Sequence, residues 1–191
     1  TVTAAVSDIA GNPSLLATRD LTVDTTAPVI AIDVIATDDI INAMEASTDL
    51  PITGTTDAEA GQMVTVDVNG TQYMGTVQPD GTWSITVPPA DLANLDAAEM
   101  VIADVADVAG NPSVQATRDI TVDTVAPVIT IDAIATDDIL NAAESGIDLP
   151  ITGTTDAEPG QTVTVDVNGI QYTGTVQPDG TWSITVPPVD L

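Results

Sequence analysis

An internal repeat constrains this chain more than any other feature. Asp8-Ile9-Ala10-Gly11-Asn12-Pro13-Ser14 returns as Asp107-Val108-Ala109-Gly110-Asn111-Pro112-Ser113, and Pro79-Asp80-Gly81-Thr82-Trp83-Ser84 returns as Pro178-Asp179-Gly180-Thr181-Trp182-Ser183. Both copies lie 99 residues downstream, so no insertion separates them. A fixed period means that one structural unit is copied along the chain, and about 100 residues suffice for a unit to close its own two-layer core. The 191 residues hold fewer than two periods. Residues 1–27 read as the C-terminal part of a preceding repeat, 28–126 as a complete repeat, and 127–191 as the N-terminal part of a following one.

Within the complete repeat the apolar residues alternate as strands do. Residues 28–32 and 50–55 are the first two candidate strands, and 62–68 a third. Asn69-Gly70, which tolerates the left-handed conformation, closes a hairpin onto 72–77. The turn Pro79-Asp80-Gly81 leads into 82–87, which Pro88-Pro89 ends because proline cannot donate to a ladder. A last pair, 101–105 and 114–122, flanks the Asp107 to Asn111 loop, and 38–45 is expected to form one or two helical turns. Seven short strands with turns between them predict an all-β chain of tandem Ig-like β-sandwiches with Greek-key connections. The joints, Asp24-Thr25-Thr26-Ala27-Pro28 and Asp123-Thr124-Val125-Ala126-Pro127, are short and carry a proline that fixes one φ angle. Neighbouring repeats are therefore expected to lie end to end, each the other's partner.

Composition excludes several classes of function. Twenty-nine acidic residues against two basic ones give a net charge of −27, which argues against nucleic acid and anionic membrane as partners. Acidity with few aromatics can signal disorder, yet 43% of residues are hydrophobic, so the chain can bury a core. There is no cysteine for a disulfide or thiolate site and no histidine for a transition metal, so any bound ion must be hard. Without a His base or Cys nucleophile, and with serines only in strands and turns, the chain is not expected to be an enzyme.

The motifs Asp-x-Ala-Gly-Asn-x-Ser, Asp-Thr-x-Ala-Pro and Asp-Asp-Ile-(Ile/Leu)-Asn-Ala, in this order and at this period, resemble the Ig-like tandem repeats of large bacterial adhesins exported by type I secretion, including RTX and biofilm adhesins. That resemblance implies extracellular domains at the bacterial cell surface that bind calcium at or near their junctions. It also implies an extender role, holding a ligand-binding region away from the cell in adhesion and biofilm formation.

Loop alternation places carboxylates at the joints independently of that resemblance. If the first strand starts at the leading end of the sandwich, the loops carrying Asp57, Glu59 and Asp107 fall at that end, beside Asp24 of the preceding joint. The segment with Asp38 and Asp39 falls at the trailing end, beside Asp123. Asp38, Asp39 and Asp123 are then expected to face Asp156 and Glu158, while Asp8, Asp137 and Asp138 repeat the same positions in the flanking copies. Crowded carboxylates repel, and Ca2+ with six to eight oxygen ligands removes the conflict. The Asp-Asp run lacks the Asp-x-Asp-x-Asp-Gly spacing of an EF-hand, so calcium rests here on topology and not on a loop motif.

Blander readings apply to other residues. Asp20, Asp33, Asp49 and Asp67 suit turns and strand ends, where aspartate bonds locally. Trp83 and Trp182 read as core residues. The competing function is a module that itself binds a carbohydrate, a protein or ice, which would need an aromatic or flat Thr-rich patch on long loops. Residues 1–27 also supply the strands that 127–191 lack, so two molecules are expected to be able to associate head to tail.

Overall fold

A computed structural model describes all residues 1–191. The chain forms two compact units, Thr1–Thr124 and Val125–Leu191. Unit 1 begins with a small antiparallel hairpin, β1 (Val2–Ala4) with β2 (Ala17–Arg19). The remaining strands of unit 1 are β3 (Ile30–Ile32), β4 (Ile40–Ile41), β5 (Leu50–Thr56), β6 (Met63–Val68), β7 (Thr71–Thr76), β8 (Thr82–Val87), β9 (Ala98–Val105) and β10 (Ala116–Val122). They make two sheets, β3-β5-β8 and β4-β10-β9-β6-β7, the two layers expected of an Ig-like sandwich.

Period-two alternation decides which side chains enter the space between the sheets. Ile52, Trp83, Ile85 and Val87 come from the three-stranded sheet, while Val64, Val66, Val101 and Ala103 come from the five-stranded one, and all are buried. Each such aliphatic side chain contributes about 1.5–3 kcal/mol on leaving water. Both tryptophans are core residues, as expected. Trp83 fits because position 54 is glycine, where a Cβ would collide with the Ala31 carbonyl oxygen and the indole ring. Its buried Nε1–H finds no acceptor, and neither does that of Trp182.

The β6–β7 hairpin turns through Asn69 and Gly70, with φ of 51° and 75°, the double left-handed geometry for which Asn-Gly is selected. The segment 38–45 departs from the helical expectation. Ile40–Ile41 is a two-residue strand running parallel to β10, with Ile40 opposite Thr121 and Ile41 opposite Val122, and only Glu45–Ser47 makes a single 3-10 turn. The connection after β8 contains a short helix, α1 (Pro89–Leu92), with proline at its first position and Leu92 buried.

Unit 2 repeats part of this plan. It contains β11 (Leu149–Thr154), β12 (Thr162–Val167), β13 (Ile170–Thr175) and β14 (Thr181–Val186), paired as β11-β14 and β12-β13. These correspond to β5, β6, β7 and β8, and Trp182 packs in a core with Ile151, Val163 and Val186. No helix in the chain is long and apolar enough to cross a membrane.

Candidate functional site

At the leading end of the sandwich, where residue 28 enters, three separate segments bring acidic residues to one cavity of about 170 Å3 lined by Asp24, Asp57, Glu59 and Asp107. Each carboxylate is anchored by a backbone amide. Asp57 Oδ1 accepts from Val29 N at 2.7 Å, which ties the loop after β5 to the start of β3. Glu59 Oε2 accepts from Val108 N at 3.1 Å, joining that loop to the one between β9 and β10. Asp24 Oδ1 accepts from Thr26 N at 3.0 Å, and the Asp24 carbonyl accepts from Asn111 Nδ2 at 3.4 Å. Four of the residues assigned to the leading joint thus share one cavity, although no three acidic side chains yet stand close enough to grip a single ion.

The Asp-x-Ala-Gly-Asn loop has its own internal logic. Asp107 Oδ1 accepts from Asn111 N at 2.7 Å and Oδ2 from Asn111 Nδ2 at 2.8 Å, while Gly110 takes a φ of 92° that lets the loop close. These donors hold the Asp107 carboxyl below the usual carboxylate range, the Asn111 side chain foremost. Asp8 repeats the arrangement, with Asn12 N at 2.8 Å and Asn12 Nδ2 at 2.8 Å, and its carboxyl is lowered for the same reason.

The crossover between β3 and β4 is organised differently, and it brings Asp39 beside the middle of the sheet instead of the trailing end that loop alternation predicts. Asp39 sits at φ 65° and receives Arg118 in a two-pronged ion pair, Nε to Oδ1 and Nη2 to Oδ2, both at 2.5 Å. Its Oδ1 also accepts from Ile35 N at 3.0 Å. Arg118 holds the Asp39 carboxyl below its ordinary range, and Asp39 in turn raises the guanidinium. Both oxygens of Asp39 are therefore committed to a cation the chain already supplies. Asp38 Oδ1 accepts from Ile40 N at 3.0 Å, and Asp123 N donates to the Ile41 carbonyl at 3.0 Å.

In unit 2, Asp156 Oδ1 accepts from Val128 N at 2.6 Å, the counterpart of the Asp57 anchor, and Glu158 follows it in the same loop. Asp137 Oδ1 accepts from Ile139 N at 3.1 Å, and Asp138 Oδ1 from Ile134 N at 2.9 Å.

No protein-family profile matches the chain, and no curated protein matches it. Solved structures do. A Ca2+-stabilised adhesin with which an Antarctic bacterium reaches out and binds ice is 37% identical across 99% of this chain and 48% of its own, with a TM-score of 0.52. A 1.5-MDa bacterial ice-binding adhesin, described for its retention at the host cell surface, is 36% identical across 98% of this chain and 62% of its own, with a TM-score of 0.52. The chain belongs to the Ig-like repeats of large bacterial adhesins. It spans about half the length of the first of these structures and 62% of the second. A bacterial immunoglobulin-like domain from the Marinomonas primoryensis ice-binding adhesin is 38% identical over its whole length and 52% of this chain, with a TM-score of 0.41. These relatives are structural domains of adhesins, not enzymes.

In this adhesin repeat the residue that sequence reasoning passed over is Arg118. A signal was available, since only two basic residues stand among 29 acidic ones and they occupy the same repeat position, Arg19 and Arg118. The carboxylate partner of Arg118 is Asp39.

Proposed function

We propose that this chain is an extender segment of a bacterial cell-surface adhesin, in which calcium at the joints holds neighbouring repeats in line and so projects a distal ligand-binding region. The observation that carries the proposal is the leading-end cavity, where Asp24 of the joint meets Asp57, Glu59 and Asp107 of the following sandwich. Its donor set is all oxygen, in a chain with no His or Cys, which suits a hard cation and no softer one. The oxygens of Asp57 and Glu59 not engaged by Val29 N and Val108 N are the ones available to an ion. Ca2+ would supply positive charge where carboxylates converge. The protein's own part is to hold the three segments together through those amide anchors.

On this reading residues 28–126 are the working repeat, its joints begin at Asp24 and Asp123, and the partners are adjacent repeats of the same chain. Asp39 remains with Arg118. The protein is placed outside the cell, where calcium is abundant. Small-angle scattering with millimolar calcium and then with chelator tests the reading. Calcium should lengthen the maximum dimension and raise the melting temperature, and Asp57→Asn with Glu59→Gln should blunt both. An unchanged dimension and melting temperature would refute stiffening by calcium.

A further inference from the structure

All four methionines of the chain lie in the repeat 28–126, and all of them face solvent. Met44, Met63, Met74 and Met100 are 78, 56, 64 and 48% exposed, while the core of the same sandwich is built from valine, isoleucine, leucine, alanine and tryptophan. Met63 and Met74 stand on the outer face of the β6–β7 pair, opposite Thr76 and Thr65. In the following copy the same two positions hold Thr162 and Thr173, both exposed, and position 44 is answered by Ala143. Threonine suits the outward face of a strand, so the fold itself does not call for methionine there.

The four do not form one contact patch. Met63 adjoins Val64, which pairs with Val105 at one end of β9, whereas Met100 lies toward the other end, opposite Asp119. Met44 stands between β4 and the 3-10 turn. What the four share is an exposed thioether, and the chain offers a two-electron oxidant little else. It has no cysteine, histidine or lysine, and both indoles are buried at 1% exposure.

We propose that these four methionines are oxidation sites through which the repeat consumes hydroperoxides without losing its fold. In each reaction the thioether sulfur attacks the terminal oxygen of the hydroperoxide. An S–O bond forms and the O–O bond breaks, sulfur gives up two electrons, and the hydroxyl proton passes to the departing oxygen, which leaves as an alcohol or, from hydrogen peroxide, as water. The product is methionine sulfoxide, a polar side chain that sulfoxide reductases return to the thioether. In a packed core that change disrupts the packing. On the outer face of β6 and β7 it does not, since the next copy already carries a polar residue at both positions.

The full 191-residue chain, in chelator, is treated with hydrogen peroxide and followed by intact mass, peptide mapping and thermal melting. Four oxygen atoms should enter, one at each methionine, at rates within about threefold of N-acetylmethionine, because reactivity follows exposure. The melting temperature should then move by no more than about 3 °C, the scale of a change at an exposed site. Leu92→Met adds a methionine where the side chain is 2% exposed, with nearly the same volume. That site should react at least about tenfold more slowly, and its oxidation should lower the melting temperature further than the other four together. Fewer than four fast sites, a fall of more than about 3 °C once those four are oxidised, or a Met at position 92 that reacts as fast as the rest overturns the proposal. Chelator keeps the outcome independent of calcium at the joints.

Discussion

Truncating the same repeat position in the two units, inside β4 in unit 1 and outside any strand in unit 2, tests whether β4 is part of the core. Ile41 is 0% exposed between the sheets, and its counterpart Leu140 is 39% exposed. Ile41→Ala and Leu140→Ala each remove three carbons. Full transfer of those carbons is worth roughly 2.4 kcal/mol at about 0.8 kcal/mol each. In the closed core around Ile41 a cavity term adds to this, giving about 3 kcal/mol within the usual 2–5 kcal/mol for such truncations. At Leu140 part of the side chain already meets water and no cavity forms, so about 1 kcal/mol is expected. Denaturant unfolding followed by indole fluorescence separates the two. A Trp182→Phe background leaves Trp83 to report unit 1, and a Trp83→Phe background leaves Trp182 to report unit 2, at dilute protein. Equal losses at the two positions, or a loss at Ile41 below about 1 kcal/mol, would refute the idea that β4 closes the core.

Three further outcomes follow from the same structure. Gly54→Ala should destabilise unit 1 by about 1–3 kcal/mol or more, because its Cβ has nowhere to go between the Ala31 carbonyl and Trp83, and thermal melting would read the loss. Burial and the Asp91 carboxylate push the Tyr73 hydroxyl up to about 12, while for Tyr172, also at about 12, the hydrogen bond to Asp190 is the larger cause. In a spectrophotometric titration Asp190→Asn should therefore lower its tyrosine further than Asp91→Asn lowers Tyr73. The Asp80 and Asp179 carboxyls are held low by the hydroxyl and amide of Thr82 and Thr181. A lowered folded-state value adds stability that is complete above the unfolded carboxylate range and is lost as pH falls through the lowered value. Replacing both by asparagine should remove that contribution at neutral pH and so flatten the acid limb, leaving stability at low pH nearly unchanged, as denaturant unfolding across pH would read.

Much of the sandwich was legible because it follows from local pattern. Alternation located β5 to β8, Asn69-Gly70 named its own turn, and the 99-residue period set the size of the unit. Segment 38–45 was misread as helical because what fixes it is distant. Ile40 and Ile41 are strand residues only by virtue of Thr121 and Val122, some eighty positions later, and the backbone reaches them through left-handed turns at Ala36, Thr37 and Asp39. The convergence of Asp57, Glu59 and Asp107 on the Asp24 joint followed from counting which loops share an end. The diversion of Asp39 to Arg118 did not, since loop alternation predicts the trailing end for a crossover that brings Asp39 beside the middle of the sheet.

The parallel pairing of β4 with β10 has a mechanical meaning for a tether. Tension pulls β4 toward the start of the repeat and β10 toward its end, so two parallel neighbours are drawn past each other lengthwise. Their hydrogen bonds must then fail together instead of parting one at a time like a zip, and the Arg118 fork on Asp39 lies across the same slip plane. The few bonds of the shortest strand in the repeat would thereby set the force at which the sandwich yields. Single-molecule pulling should register a lower rupture force for Arg118→Gln even where its equilibrium stability is little changed.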